Sequence, residues 1–160
     1  MNLPIGLTLV RIVLVPLLTV FLISSSRVHA LIATAIFVAA SLTDWLDGLL
    51  ARRRNQVTTL GKLLDPVADK LLVAAALISL VQIEIVPAWM VVIIIGREFA
   101  VTGLRGIAAS VGVIVPASEL AKYKTVSQYV AIALLIFEKG VPPRLASFHW
   151  LSSTALWVAL

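Results

Sequence analysis

The chain has 160 residues, of which 61% are hydrophobic and 13% are charged, and its mean hydropathy is +1.07. This composition excludes an ordinary soluble domain and favours a protein whose solvent is lipid. The net charge is +5, and the basic residues lie close to the apolar runs, so lipid or phosphate ligands are favoured over nucleic acid. The absence of cysteine excludes disulfides and thiolate metal sites.

Long apolar runs without strand-like alternation predict an all-α bundle of transmembrane helices. A spanning helix needs about 20 apolar residues, so the chain accommodates roughly six spans and no extramembrane domain. We therefore expect one membrane domain over residues 1–160, in which the first run is a helix and not a cleaved signal. The predicted helices are Leu7–Ile23, Ala30–Leu50, Leu63–Val81, Val86–Ala109, Ala121–Phe137 and Leu145–Leu160.

The connections between these runs indicate how the bundle is oriented. Pro87 and Gly112 are helix breakers on either side of the fourth run. Lysine and arginine in short loops mark the cytoplasmic side of a membrane protein. They are concentrated in two connections, and the residues are Arg52, Arg53, Arg54 and Lys62 in one and Arg105, Lys122 and Lys124 in the other. Both termini are therefore expected in the cytoplasm.

All four aspartates of the chain lie around the connection between the second and third predicted helices. Asp44 and Asp47 are three residues apart and Asp65 and Asp69 are four apart, so each pair lies on one face of its helix. Carboxylates that face each other in a low dielectric repel, and divalent cations remove that conflict. Oxygen ligands suit Mg²⁺ or Mn²⁺, and paired ions recur where a group is displaced at phosphorus. The pattern predicts a site for two divalent cations.

Two other interpretations of the aspartates remain open. They could form helix caps and salt bridges with the arginines at 52–54, or they could line an ion or proton pathway. A pathway should place acidic groups at several depths, whereas these lie at one end of the predicted bundle. An active site is therefore favoured.

Gly48 and Arg52 follow the first aspartate pair on the same predicted helix. A glycine leaves room beside the carboxylates for a ligand to approach the backbone, although close helix packing would also explain it. Arg52 at the membrane surface can reach a diphosphate, although it could instead be a positive-inside anchor.

The aspartates form the pattern DxxDGxxAR, eight residues, GxxxDxxxD, which matches Asp44, Asp47, Gly48, Ala51, Arg52, Gly61, Asp65 and Asp69. This pattern resembles the signature of the CDP-alcohol phosphotransferase family. The resemblance implies six transmembrane helices, a homodimer and a cytoplasm-facing site in a bacterial cytoplasmic membrane. It also implies that Asp44 and Asp65 contact both of two divalent metals, Asp47 one and Asp69 the other. Asp69 would be the general base, and Gly48, Arg52 and Thr58 would contact the CDP moiety.

Four flanking stretches resemble the members of this family that use glycerol 3-phosphate as acceptor. They are NLPIGLTLVRI, ARRRNQVTTLGKLLDPVADK, REFAVTGLRGIAAS and KYKTVSQ, and they depart from the family pattern at Ile5 and Ala121. The resemblance implies transfer of the phosphatidyl group of CDP-diacylglycerol to glycerol 3-phosphate, with release of CMP. A sibling acceptor such as inositol phosphate or phosphatidylglycerol remains an alternative.

Such an acceptor is a dianion, so cations are expected next to the metals. Arg97 and Arg105 lie eight residues apart on similar faces of the fourth helix, and Lys122 and Lys124 begin the fifth. These four residues are the predicted acceptor-phosphate site, although the lysines could be surface anchors. Arg97 could instead pair with an aspartate or with Glu98, but adjacent helical residues point apart, which argues against Glu98.

Overall fold

The computed structural model describes residues 3–54, 59–112, 119–142, 154, 156 and 157. Within these residues the chain forms five long helices and no strand, which confirms the predicted all-α class for this part of the chain. They are α1 (Leu3–Ile23), α2 (Arg27–Arg54), α3 (Thr59–Gln82), α4 (Ala88–Ser110) and α5 (Glu119–Gly140). The predicted sixth helix, Leu145–Leu160, lies almost wholly outside the described residues.

Most helices extend beyond their predicted ends. The prediction stopped α2 at the limits of its apolar run, Ala30 and Leu50, whereas the helix begins at Arg27 and ends at Arg54. Arginine has a high helix propensity, so a change from apolar to basic residues does not end a helix. The α4 start was wrong in the other direction: Pro87 has extended backbone angles, and the helix begins after it at Ala88.

The turn after α4 shows why the breaker signal there was correct. The amide of Val111 donates hydrogen bonds to the carbonyls of Ile107 and Ala108, which closes the last turn of the helix. Gly112 follows with a φ of +80°, a backbone conformation that residues with a Cβ rarely adopt. The chain therefore leaves the helix at the predicted glycine.

The core is a continuous apolar cluster that contains residues of all five helices. Among the described residues, α1 packs extensively on both α2 and α3, α5 packs on α2, and α4 packs on α3. Direct contacts between α2 and α3 are few in this part of the chain. The largest fully buried side chains include Phe37, Leu18, Leu72, Leu77, Ile94 and Ile132. Because α5 also contacts α3, it packs on both α2 and α3.

The end of α5 is fixed to the turn between α1 and α2. The ammonium group of Lys139 donates hydrogen bonds to the carbonyl of Leu22 and to the carbonyl of Ser24, the latter at 2.8 Å. Beside it, Gly140 packs so closely on α2 that an added Cβ would lie 2.8 Å from the side chain of Leu31. This end of α5 is therefore closely packed on the end of α1 and the start of α2.

Many large apolar side chains lie on the surface of the helices. Val13 and Val20 of α1 are 69% and 68% exposed, and Val92 of α4 is 69% exposed. In the part of the chain that the structure describes, no helix combines the length with the apolar character that a membrane crossing requires.

Candidate active site

Asp69 is the aspartate whose side chain the structure describes, and it lies at the junction of α3 and α5. Its carboxylate is half-buried and accepts a hydrogen bond at Oδ1 from the hydroxyl of Tyr129. Tyr129 is fixed in turn by its ring, whose centroid lies 5.8 Å from that of the fully buried Phe37 of α2. The predicted catalytic carboxylate is thus held by a side chain from another helix.

A small cavity lies on one side of this contact, among α3, α4 and α5. The polar side chains of its lining are those of Asp69, Lys70, Glu98, Thr125, Gln128 and Tyr129, and the rest of the lining is apolar. Its volume of about 30 Å³ is enough for an ion or a water molecule. The carboxylate of Asp69 therefore faces a space whose lining includes a second carboxylate, from Glu98, and the cationic side chain of Lys70.

A larger cavity of about 440 Å³ lies on the other side of Tyr129, between α2 and α5. Asp69, Thr125 and Tyr129 line both cavities. The rest of the larger lining is mainly apolar and includes Phe37 and Val130. Asp69 therefore lies where the two cavities meet.

Arg97 of α4 lies beside the small cavity. Its Nη2 atom donates a hydrogen bond to Oε1 of Glu98 at 2.6 Å and one to Oε1 of Gln128 at 3.5 Å. The expectation that Glu98 would be a poor partner was therefore wrong. The direction of the Cα–Cβ bond determines which neighbours a short side chain can reach. The long, flexible arginine side chain can bend back to an adjacent residue.

The Nε atom of Arg97 takes no part in these two hydrogen bonds. The Nε atom is buried and has no hydrogen-bond partner among the described residues. A buried N–H group without a partner is unfavourable by about 1–3 kcal/mol, and an anionic oxygen would satisfy it. The ion pair with Glu98 thus occupies only part of the guanidinium group.

The other basic residues that were predicted to bind the acceptor phosphate lie at different distances from Arg97. Lys124 is partly buried on α5 and lies close enough for its charge to interact with Arg97 and Glu98. Arg105 is half-buried on α4, about 12 Å further along the helix axis at 1.5 Å per residue. The side chain of Lys122 lies outside the described part of the structure. Arg97 and Lys124 are thus brought together, and Arg105 is displaced along the helix.

The remaining predicted site residues are described less completely. Asp44, Asp47, Gly48 and Arg52 are positions of α2 and Asp65 is a position of α3, but their side chains lie outside the described residues, as does Thr58. No group of three metal-ligating side chains occurs among the side chains that the structure describes. The predicted ligands are all aspartates, and carboxylate oxygens are the ligand type that suits Mg²⁺ or Mn²⁺.

Two polar residues of this site were missed from the sequence, Gln128 and Tyr129. Gln128 is almost fully buried beside Arg97, and Tyr129 contacts Asp69. The sequence signal that could have indicated them is a spacing of four residues on α5. It places Gln128 on the same face as Lys124, and Tyr129 on the same face as Thr125. The partners of those faces depend on helix packing, which the spacing does not determine.

Comparisons with known proteins agree with the signature. A family model described as CDP-alcohol phosphatidyltransferase matches residues 1–160. A Bacillus subtilis protein named CDP-diacylglycerol–glycerol-3-phosphate 3-phosphatidyltransferase is 46% identical, with 99% of this chain and 88% of that protein covered. A Rickettsia bellii protein of the same name is 40% identical over 99% of this chain and 87% of its own length. A Mycobacterium tuberculosis protein named probable phosphatidylglycerophosphate synthase is 42% identical, with 88% of this chain and 68% of that protein covered.

Proposed function

The chain belongs to the CDP-alcohol phosphatidyltransferase family, and we propose that it transfers a phosphatidyl group from CDP-diacylglycerol to sn-glycerol 3-phosphate. The products are phosphatidylglycerophosphate and CMP, a step of phospholipid biosynthesis. The observation that carries the chemistry is the position of Asp69, which lines both a cavity of about 440 Å³ beside α2 and a small cavity that is also bordered by Glu98 and Lys70. A lipid donor and a polar acceptor must meet at one carboxylate in this reaction. The names of the relatives support glycerol 3-phosphate as the acceptor.

We assign the metal site to Asp44, Asp47, Asp65 and Asp69. Spacings of three and four residues put each pair on one face of its helix, and these four residues match the aspartates of the family pattern, so they would hold the ions. Two divalent cations, Mg²⁺ or Mn²⁺, would neutralise the phosphates of the donor and stabilise CMP as it leaves.

For the donor, Gly48, Arg52 and Thr58 are assigned to the CDP moiety by their match to the family pattern. The mainly apolar cavity of about 440 Å³ beside Asp69 supports a lipid donor, because apolar chain segments avoid water there. Burying each CH₂ group contributes about 0.8 kcal/mol, so even a short chain segment in this space would contribute substantially to binding.

For the acceptor, Arg97, Arg105, Lys122 and Lys124 are assigned to the phosphate group. The buried Nε of Arg97 supports this assignment, because a phosphate oxygen would supply a hydrogen-bond partner that the described residues lack. The charge of Lys124 lies close to Arg97 and adds to the positive potential there.

The chemical step then requires one proton transfer by the chain. Asp69 accepts the proton of the 1-hydroxyl group of glycerol 3-phosphate, and the oxygen forms a bond to the phosphorus that carries diacylglycerol. The bond from that phosphorus to the oxygen of CMP breaks, and Arg52 stabilises the negative charge of the departing phosphate. Asp69 is suited to this role by position, since it lines both cavities.

The protein is further proposed to be a single integral membrane domain of six helices that forms a homodimer in a bacterial cytoplasmic membrane. The hydrophobic share of 61% and the exposed apolar side chains of α1 and α4 support a lipid environment. The basic residues near the α2–α3 and α4–α5 connections support a site that faces the cytoplasm.

The test is release of CMP by the detergent-solubilised protein from CDP-diacylglycerol in the presence of Mg²⁺ or Mn²⁺. Glycerol 3-phosphate, inositol phosphate, serine and phosphatidylglycerol are offered in separate reactions, and only glycerol 3-phosphate is expected to support turnover. Equal turnover with serine, which lacks a phosphate, would contradict the assignment of the phosphate site. A preference for inositol phosphate or phosphatidylglycerol would identify a sibling reaction.

The Asp69→Asn variant tests the proposed base. It keeps the size of the side chain and removes the carboxylate, so CMP release is expected to fall at least 100-fold, the lower end of what general-base catalysis contributes. Glu84→Gln is the matched control, because it makes the same change at an exposed acidic residue in the α3–α4 turn. If Asp69→Asn retained more than a tenth of the wild-type rate, Asp69 would not be the base.

A further inference from the structure

Tyr129 connects three helices at the candidate site. Its hydroxyl donates a hydrogen bond to Asp69 of α3, and its ring packs on Phe37 of α2 at an interplanar angle of 33°. The same side chain lines both the small cavity and the larger one. It therefore lies beside Asp69 at the boundary between the two cavities.

A carboxylate on a short side chain has one torsion that determines where its two oxygen atoms point. For aspartate this torsion, χ2, has a broad distribution of values, so packing around the Cβ atom does not fix it. A hydrogen bond to one oxygen removes this freedom and thereby determines where the second oxygen points. The ring of Tyr129 packs on the buried Phe37 of α2, so the hydroxyl is a rigid hydrogen-bond donor to Asp69.

We infer that Tyr129 is a positioning residue that orients the carboxylate of Asp69 toward the divalent cation and the acceptor hydroxyl. The inference rests on the proposed function, because it assigns Asp69 to the metal and to the proton transfer. The aspartate pattern itself assigns no role to Tyr129. Partners that orient metal ligands in this way typically change metal affinity or activity by about 10- to 100-fold when they are removed.

The chain offers a matched pair of variants, because its two tyrosines, Tyr123 and Tyr129, both lie on α5. Tyr129→Phe removes the hydroxyl that binds Asp69 and keeps the ring that packs on Phe37. Tyr123→Phe removes a hydroxyl from a residue that is 72% exposed. Any effect of Tyr129→Phe that Tyr123→Phe lacks is therefore due to the hydroxyl at the site.

The first measurement is Mn²⁺ binding to the substrate-free protein in detergent, followed by the electron paramagnetic resonance signal of free Mn²⁺. Tyr129→Phe is expected to raise the dissociation constant of one Mn²⁺ ion about tenfold or more. In the CMP release assay its kcat should fall by a similar factor, with the KM for CDP-diacylglycerol within twofold of wild type. Tyr123→Phe should match wild type in both assays.

A second measurement needs no change at Tyr129 and remains decisive if Tyr129→Phe does not fold. In the Tyr123→Phe protein Tyr129 is the remaining tyrosine, so biosynthetic labelling with 3-fluorotyrosine gives one ¹⁹F resonance. Addition of Mg²⁺ should shift this resonance, and the shift should saturate at the same Mg²⁺ concentration as the enzymatic activity.

The outcomes separate this inference from the proposed function. A wild-type protein that binds no Mn²⁺ and releases no CMP would contradict the proposed function itself. If wild type is active and binds Mn²⁺, the inference is overturned when Tyr129→Phe has the same Mn²⁺ affinity and kcat. It is also overturned when the ¹⁹F resonance does not respond to Mg²⁺. A purely packing role would lower the melting temperature of Tyr129→Phe and leave its metal affinity unchanged.

Discussion

Replacement of Arg97 by glutamine tests whether this residue binds the acceptor or only pairs with its neighbour. The guanidinium group donates to Glu98 at 2.6 Å, while its buried Nε lacks a partner among the described residues. If the phosphate of glycerol 3-phosphate binds there, the variant loses a hydrogen bond between charged groups, which contributes about 1.5–3 kcal/mol. At 1.4 kcal/mol per factor of ten, the KM for glycerol 3-phosphate should rise roughly 10- to 150-fold.

Glu98→Gln is the matched control, because it removes the other partner of the same ion pair. Its carboxylate repels a phosphate dianion near Arg97, and a single charge about 7 Å from a double charge in water interacts by about 1.2 kcal/mol. Removal of Glu98's charge is therefore expected to lower the KM for glycerol 3-phosphate by a factor of about seven. The two variants should change this KM in opposite directions.

The assay is the initial rate of CMP release in mixed micelles, with glycerol 3-phosphate varied at saturating CDP-diacylglycerol and then the reverse. The KM for CDP-diacylglycerol should change by less than twofold in both variants. If Arg97→Gln and Glu98→Gln raised the KM for glycerol 3-phosphate equally, the intact ion pair would be the important feature. Arg97 would then have a structural role, and its assignment to the phosphate would be wrong.

Two further predictions concern the metals and the packing of α5. Chelation with EDTA should abolish CMP release, and Mg²⁺ or Mn²⁺ should restore it; a rate that persists after chelation would contradict the metal assignment. Gly140→Ala places a Cβ 2.8 Å from the side chain of Leu31 and 3.2 Å from the carbonyl of Arg27, so it should destabilise the protein by about 1–3 kcal/mol in thermal unfolding. Gly103→Ala is the control, since nothing lies within 4 Å of its added Cβ, and an equal loss in both variants would refute the packing explanation.

The apolar runs predicted the order of the described helices correctly because helix formation in this chain follows local sequence. Pro87 and Gly112 act through their own backbone geometry, so their effect on α4 could be predicted directly. The ends at Arg27 and Arg54 could not, since the change from apolar to basic residues marks a change in polarity and not the end of the helix. Apolar runs therefore give the order of the described helices better than their ends.

The contacts of the site were harder to predict than the helices. The spacing of Asp65 and Asp69 indicates a shared helix face, but it does not show that α5 supplies a hydroxyl to Asp69. That contact depends on how α5 crosses α3, which many residues along both helices determine together. The pairing of Arg97 with Glu98 differs from the prediction for another reason, because the long arginine side chain reaches an adjacent residue whose Cβ points in another direction.

Adjacent residues of α5 connect the two halves of the proposed chemistry. Gln128 accepts a hydrogen bond from Arg97 of α4, and Tyr129 donates one to Asp69 of α3. Successive residues of a helix project about 100° apart, so neighbours in sequence can contact different helices. The cation assigned to the acceptor phosphate and the base assigned to its hydroxyl are thereby held at a fixed separation by one rigid element. A site that must bind one end of a small acceptor and deprotonate the other requires this arrangement.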